Sequence, residues 1–132
     1  MPRRAQRALL VLAVVAVAGC GGGDPAAPEA AATAFARAAA GGDGARACAL
    51  LSPAVRDALA SRSGSCPDAV SAEPPPGAAP VVRAERYGQQ ARVVTDADTI
   101  FLSRFPDGWK VIAAGCTAGG GGKPYDCTIS EG

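Results

Sequence analysis

Apolar positions along this chain change their period once. From residue 28 to residue 59 they recur at helical spacing; after residue 80 they come in short runs rich in Val, Ile and aromatic residues. The stretch "PEAAATAFARAAAGG" predicts a first helix. Glu29, Thr33 and Arg37 recur every four residues as a polar stripe, and Phe35 lies opposite with Ala31, Ala38 and Ala39. Pro28 suits the first turn, Glu29 suits the positive end of the helix dipole, and Gly41-Gly42 stops the helix. Asp43 caps a second, short helix through Leu51, whose apolar face holds Ala47, Leu50 and Leu51. Ser52-Pro53 reads as a cap and a first helical position, with Val55 and Leu59 four apart on the third helix. "SRSGSCPDAV" reads as a loop with one helical turn after Pro67, and "EPPPGAAP" as a stiff connector.

In the second half, "VVRAERY", "ARVVT", "TIFLSRF" and "WKVIAA" read as strands. Their separators, Gly88-Gln89, Asp96-Ala97-Asp98 and Pro106-Asp107-Gly108, are turn-like and short, which favours antiparallel hairpins. In "TIFLSRF", Ile100 and Leu102 face one way, and Phe101 and Phe105 the other. Both faces of that strand are therefore partly covered; helices shield one, and the other lines a concavity or a pocket between elements. "YDCTI" supplies a short edge strand. Helices first and a meander second make an α+β domain, N-terminal helices packed on an antiparallel sheet.

The first 28 residues stand outside that pattern. Arg3, Arg4 and Arg7 precede an apolar run over residues 9–17, then Ala18, Gly19 and Cys20. This is the layout of an export signal, and the run falls well short of the ~20 residues a spanning helix needs. Val17-Ala18-Gly19-Cys20 resembles the lipobox of bacterial lipoproteins. That resemblance implies cleavage after residue 19, a diacylglyceryl group on the Cys20 thiol and an extracytoplasmic protein anchored to the membrane by lipid. Residues 20–28 form a flexible tether and residues 29–132 a single domain.

Lipidation changes the charge and the cysteine count. The chain has 13 Lys+Arg and 12 Asp+Glu; without the three signal arginines 10 basic residues face 12 acidic ones, a net of −2. No basic tract is left for nucleic acid. Of five cysteines, four remain for folding. They allow three pairings. The local one, Cys48–Cys66 with Cys116–Cys127, closes two short loops and keeps each bridge inside one half of the chain. Zinc sites set cysteines two to four residues apart or use histidine, so no metal is expected here. The helical half is mostly alanine and buries little apolar area per residue, which is why two bridges are needed.

Trp109, Val111, Gly115, Cys116, Tyr125 and Cys127, in the form W-x-V-x-A-x-G-C…Y-D-C, carry a second resemblance, covering roughly residues 28–130. The chain resembles small actinobacterial lipoproteins with a nuclear transport factor 2-like (cystatin-like) domain. The resemblance implies helices packed into the concave side of a strongly bent sheet. Catalytic relatives commonly use a His/Asp or Tyr/Asp pair in the pocket.

Candidate chemistry is sparse. The chain has no histidine, so Ser–His and Cys–His nucleophiles cannot be built. Tyr87 and Tyr125 carry no catalytic spacing. Asp96 and Asp98 sit where a hairpin turn belongs, and two carboxylates do not make a calcium loop. "TAGGGGKP" fails as a phosphate loop because Thr117 and Pro124 occupy its defining ends. Arg83, Arg86, Arg92 and Arg104 lie on or near the strands, as solvated edges or as a site for an anion. Trp109 packs in the core or, if exposed, offers a platform. These readings combine into a non-catalytic, lipid-anchored binding protein of the cell envelope. It uses no cofactor, and its partner is an envelope protein or a small ligand met by Trp109, Phe101 and Arg104. The rivals are an isomerase or hydrolase of the same fold using Asp and Tyr, and a spacer lipoprotein.

Overall fold

A computed structural model describes residues 27–132. The expected signal segment, Cys20 and almost all of the expected tether lie outside the described residues.

Among the described residues, four helices precede five strands. Helix α1 (Pro28–Ala40) starts at the proline, as its sequence predicts, because the fixed proline φ fits a first helical position. Its buried stripe is Ala32, Phe35, Ala36 and Ala39, an i, i+3, i+4, i+7 spacing; Ala38 joins it, and Ala31 is only half-buried. Helix α2 (Gly44–Ala49) is capped by Asp43, whose carboxylate accepts from the Arg46 N–H at 3.1 Å. Helix α3 (Pro53–Ser63) is capped by Ser52 and buries Val55 and Leu59.

The sequence predicts a loop across residues 61–70 with one helical turn after Pro67; the structure has more helix on both sides of a shorter break. Helix α3 runs on to Ser63, and a fourth helix, α4 (Cys66–Ala72), follows after one turn. Ser65 makes it possible, accepting the Asp68 N–H on its hydroxyl at 3.2 Å. The Cys48–Cys66 disulfide ties the start of α4 to α2.

The strands β1 (Val81–Tyr87), β2 (Gln90–Thr95), β3 (Thr99–Phe105), β4 (Gly108–Thr117) and β5 (Asp126–Ser130) form one antiparallel meander in sequence order. Strand β5 covers β4 only from Ala113 to Thr117. The remaining edge of β4 is taken by the α2–α3 junction: the Val111 N–H donates to the Leu50 carbonyl at 2.8 Å, and the Ser52 N–H donates to the Val111 carbonyl at 2.9 Å. The second helix accordingly ends at Ala49, and Leu51 bridges to Val111 as a strand would.

The register slips twice along β3–β4, between Thr99 and Phe101 and between Phe101 and Leu102. Each slip adds a residue to β4, which bends a strand and increases its twist. Gly115 sits in the first bulge with φ +65°, and its N–H donates to the Asp98 carboxylate at 2.8 Å. The other Asp98 oxygen accepts the Thr95 hydroxyl at 3.0 Å. Asp98 thus closes the β2–β3 hairpin turn, the role expected for it, and also clasps the bend in β4.

Ala84, Ala91, Val93, Ile100, Leu102, Val111 and Ile129 point to one side of the sheet, and there they pack with Phe35, Leu51, Val55, Leu59 and Val70 from the helical half. Alternate residues point the other way, onto a face that no helix among the described residues covers.

Candidate functional site

The open face carries a network of polar and aromatic side chains. Arg83, Glu85 and Tyr87 alternate along β1 and so share that face. Glu85, Arg92 and Phe101 are direct cross-strand neighbours, one from each of β1, β2 and β3. Glu85 Oε2 accepts from the Tyr87 hydroxyl at 2.8 Å and from Arg92 Nε at 2.8 Å, with a further contact from the second Arg92 nitrogen. Glu85 Oε1 pairs with Arg83 Nε at 3.2 Å. Arg92 also donates to the Tyr125 hydroxyl at 3.4 Å, and the Tyr125 ring meets Phe101 edge-on at 5.0 Å between centroids.

Tyr125 arrives from the loop between β4 and β5. Cys116 and Cys127 are opposed across those strands and bonded, so the disulfide pins the base of that loop. The glycines at 119–122 let it fold back: a Cβ at Gly119 would stand 2.5 Å from the Pro124 carbonyl. Both cysteine pairs of the structure are those of the local arrangement.

Electrostatics fix the protonation of the network. The Tyr87 hydroxyl, and then Arg92, hold the Glu85 carboxyl below the usual glutamate range. The same Glu85 hydrogen bond pushes the Tyr87 phenol above the usual tyrosine range. Glu85 also raises Arg92. The carboxylate is a weakened base and the phenol a weakened acid, the reverse of what a proton-transfer pair near neutral pH requires. Of the two carboxylates singled out by sequence, Asp98 is buried in the clasp at the β4 bend and Asp96 is exposed in the turn.

The three residues expected to form one binding surface do not do so. Phe101 is on the open face, whereas Trp109 and Arg104, paired in register across β3–β4, are on the helix side. Period two decides this: Phe101 and Arg104 are an odd number of positions apart. Trp109 is 7% exposed and belongs to the core. The Arg86 guanidinium lies over its ring, 5.7 Å from the centroid. Beside Trp109 runs a groove of about 580 Å³ between α1 and the start of β4, lined by Ala30, Ala31, Ala34 and Leu50 with Arg46 and Lys110 at its rim. Lys110 is engaged there with Asp107 at 3.2 Å and the Ala49 carbonyl at 3.1 Å.

Glu85 went unremarked in the sequence, and so did its assembly with Tyr87, Arg92 and Tyr125. The alternation R-x-E-x-Y in β1 was the available signal; that Tyr125 joins it depends on a loop folding over the sheet. Among the described residues no group of three His, Cys, Asp or Glu side chains gathers as a metal site, and no helix is long and apolar enough to cross a membrane. No family model, curated protein or solved structure matches the chain.

Proposed function

We propose that this is a lipid-anchored, extracytoplasmic lipoprotein with a nuclear transport factor 2-like domain, which binds a protein of the cell envelope on the open face of its sheet and catalyses no reaction. The observation that carries the binding mode is the contrast between the two faces. The helix side is filled by Phe35, Leu51, Ile100 and Leu102, all under 2% exposed. The open side presents Tyr87 at 62% and Tyr125 at 37% exposure, held in place by Arg92 and Glu85. Tyrosine and arginine dominate the energetic centres of protein interfaces, and rings fixed in advance lose little entropy on docking. The weakened acid and base of the network support a binding role over catalysis. The helices-then-meander order and the two bulges in β4 support the fold assignment, and the lipobox supports the anchor.

A photoreactive residue replacing Tyr125 in intact envelopes tests the docking face, with one replacing Asp57 on the exposed side of α3 as control. One adduct specific to position 125, weakened by Arg92→Ala, is the expected result. Equal labelling at both positions, or none at 125, overturns it. The anchor is tested separately: Cys20→Ala moves the protein out of the membrane fraction, and its retention there would sink the lipoprotein reading.

A further inference from the structure

Strand β1 ends the sheet, and among the described residues no backbone hydrogen bond from outside the sheet reaches 81–87. A free strand edge is a template for another strand, which proteins usually block with charge, bulges or a cover. This edge has a bulge at Val82, where its register against β2 slips. It also holds three of the four exposed large apolar side chains among the described residues: Val81 at 40%, Val82 at 64% and Tyr87 at 62%. Its charges do not repel a copy of the same strand. About Ala84 the segment reads Arg83-Ala84-Glu85, opposite charges placed symmetrically around a small residue.

We propose that β1 pairs antiparallel with β1 of a second copy of this chain, about a two-fold axis at Ala84, fusing the two sheets. This register sets Arg83 of each chain opposite Glu85 of the other, twice. It also sets Val82 against the aliphatic stem of Arg86, and Val81 against Tyr87. A slip of two residues in either direction brings Arg83 against Arg83 or Glu85 against Glu85. A slip of one turns the copy over and sets Arg83 against Arg86, or Val82 against Glu85. Opposite charges directly across a strand pair stabilise it and like charges destabilise it, so one register wins. Glu85 is already oriented for the task. Tyr87 and Arg92 occupy Oε2, and Oε1 meets only Arg83, whose side chain is 61% exposed. The contact is isologous and closes, as two-fold interfaces do, and it sets the two open faces side by side.

The proposal is read by mass and register, independently of which protein docks on the open face. In sedimentation of the full chain purified in mild detergent, twice the single-chain mass is expected. Arg83→Glu, which creates two like-charge pairs, weakens the dimer at least about tenfold while leaving the far-ultraviolet circular dichroism unchanged. Ala84→Cys, on the axis, gives a reducible covalent dimer on mild oxidation of membranes, and Asp57→Cys on α3 does not. A single-chain mass for the unmodified protein at all concentrations overturns the proposal. So does an Ala84→Cys adduct with another protein, or cross-linking from Asp57→Cys as efficient as from Ala84→Cys.

Discussion

Gly115 shows how one residue sets the course of a strand. Its φ of +65° strains any L side chain, and a Cβ there would stand 2.8 Å from the Thr128 hydroxyl oxygen and 2.9 Å from its Cβ. Gly88 has a similar φ of +61° in the β1–β2 turn, with nothing within 4 Å. Alanine at 88 therefore costs backbone strain alone, of order 1 kcal/mol. Alanine at 115 adds a clash inside a bonded strand pair, and ~2 kcal/mol or more in total is expected. Thermal melting separates the two: in a domain of this size 1 kcal/mol corresponds to roughly 4–8 °C. Equal shifts for Gly88→Ala and Gly115→Ala would show that strain, not the Thr128 contact, governs position 115.

At the scale of the strands, the Glu85–Tyr87–Arg92 network acts as a unit that one proton disturbs. The folded Glu85 pKa is depressed, so its contribution is complete above the ordinary value of 4.5 and is lost as pH falls through the lower folded value. The folded Tyr87 pKa is raised, so its contribution is complete below 10.0 and is lost as pH climbs through the higher folded value. Ultraviolet titration of the phenols checks the coupling. Glu85→Gln removes the charged acceptor, and the Tyr87 pKa is expected to drop toward the ordinary tyrosine range.

For the molecule as a whole, the core is thin and the disulfides compensate. Among the described residues, eight of the twenty-two buried hydrophobic residues are alanines, each removing little area from water. Bridges separated by 18 and 11 residues close loops that contribute about 3 kcal/mol each in the chain-entropy picture. Their sum rivals the whole stability of a typical domain, about 5–15 kcal/mol. Reduction of both is expected to unfold the domain near 37 °C, whereas Cys116→Ser/Cys127→Ser alone leaves it folded with a looser Tyr125 loop. Circular dichroism melts with and without reductant, with Tyr125 ring contacts followed by NMR, check both outcomes. A melt indifferent to reductant would mean that alanine packing suffices.

What the sequence determined by itself was local. Strand positions, turn residues, caps at Asp43 and Ser52, and the local cysteine pairing are legible because period, proline and glycine act over a few residues. Only one turn of the fourth helix was legible, after Pro67; its start at Cys66 and its length were not, because a serine cap after Gly64 looks like loop composition until the chain beyond it packs. The α+β order followed from element type alone. Which side chains meet was decided only in three dimensions. Phe101 and Trp109 parted because alternate residues of a sheet face opposite ways. Glu85, Arg92 and Tyr125 converged across strands and a folded-back loop, at separations in sequence that no short-range pattern encodes. The two bulges in β4 arise from its pairing with β3, and the capture of its free edge by Leu50–Ser52 from pairing with a segment some sixty residues away; both are properties of the packed sheet and not of any stretch within it.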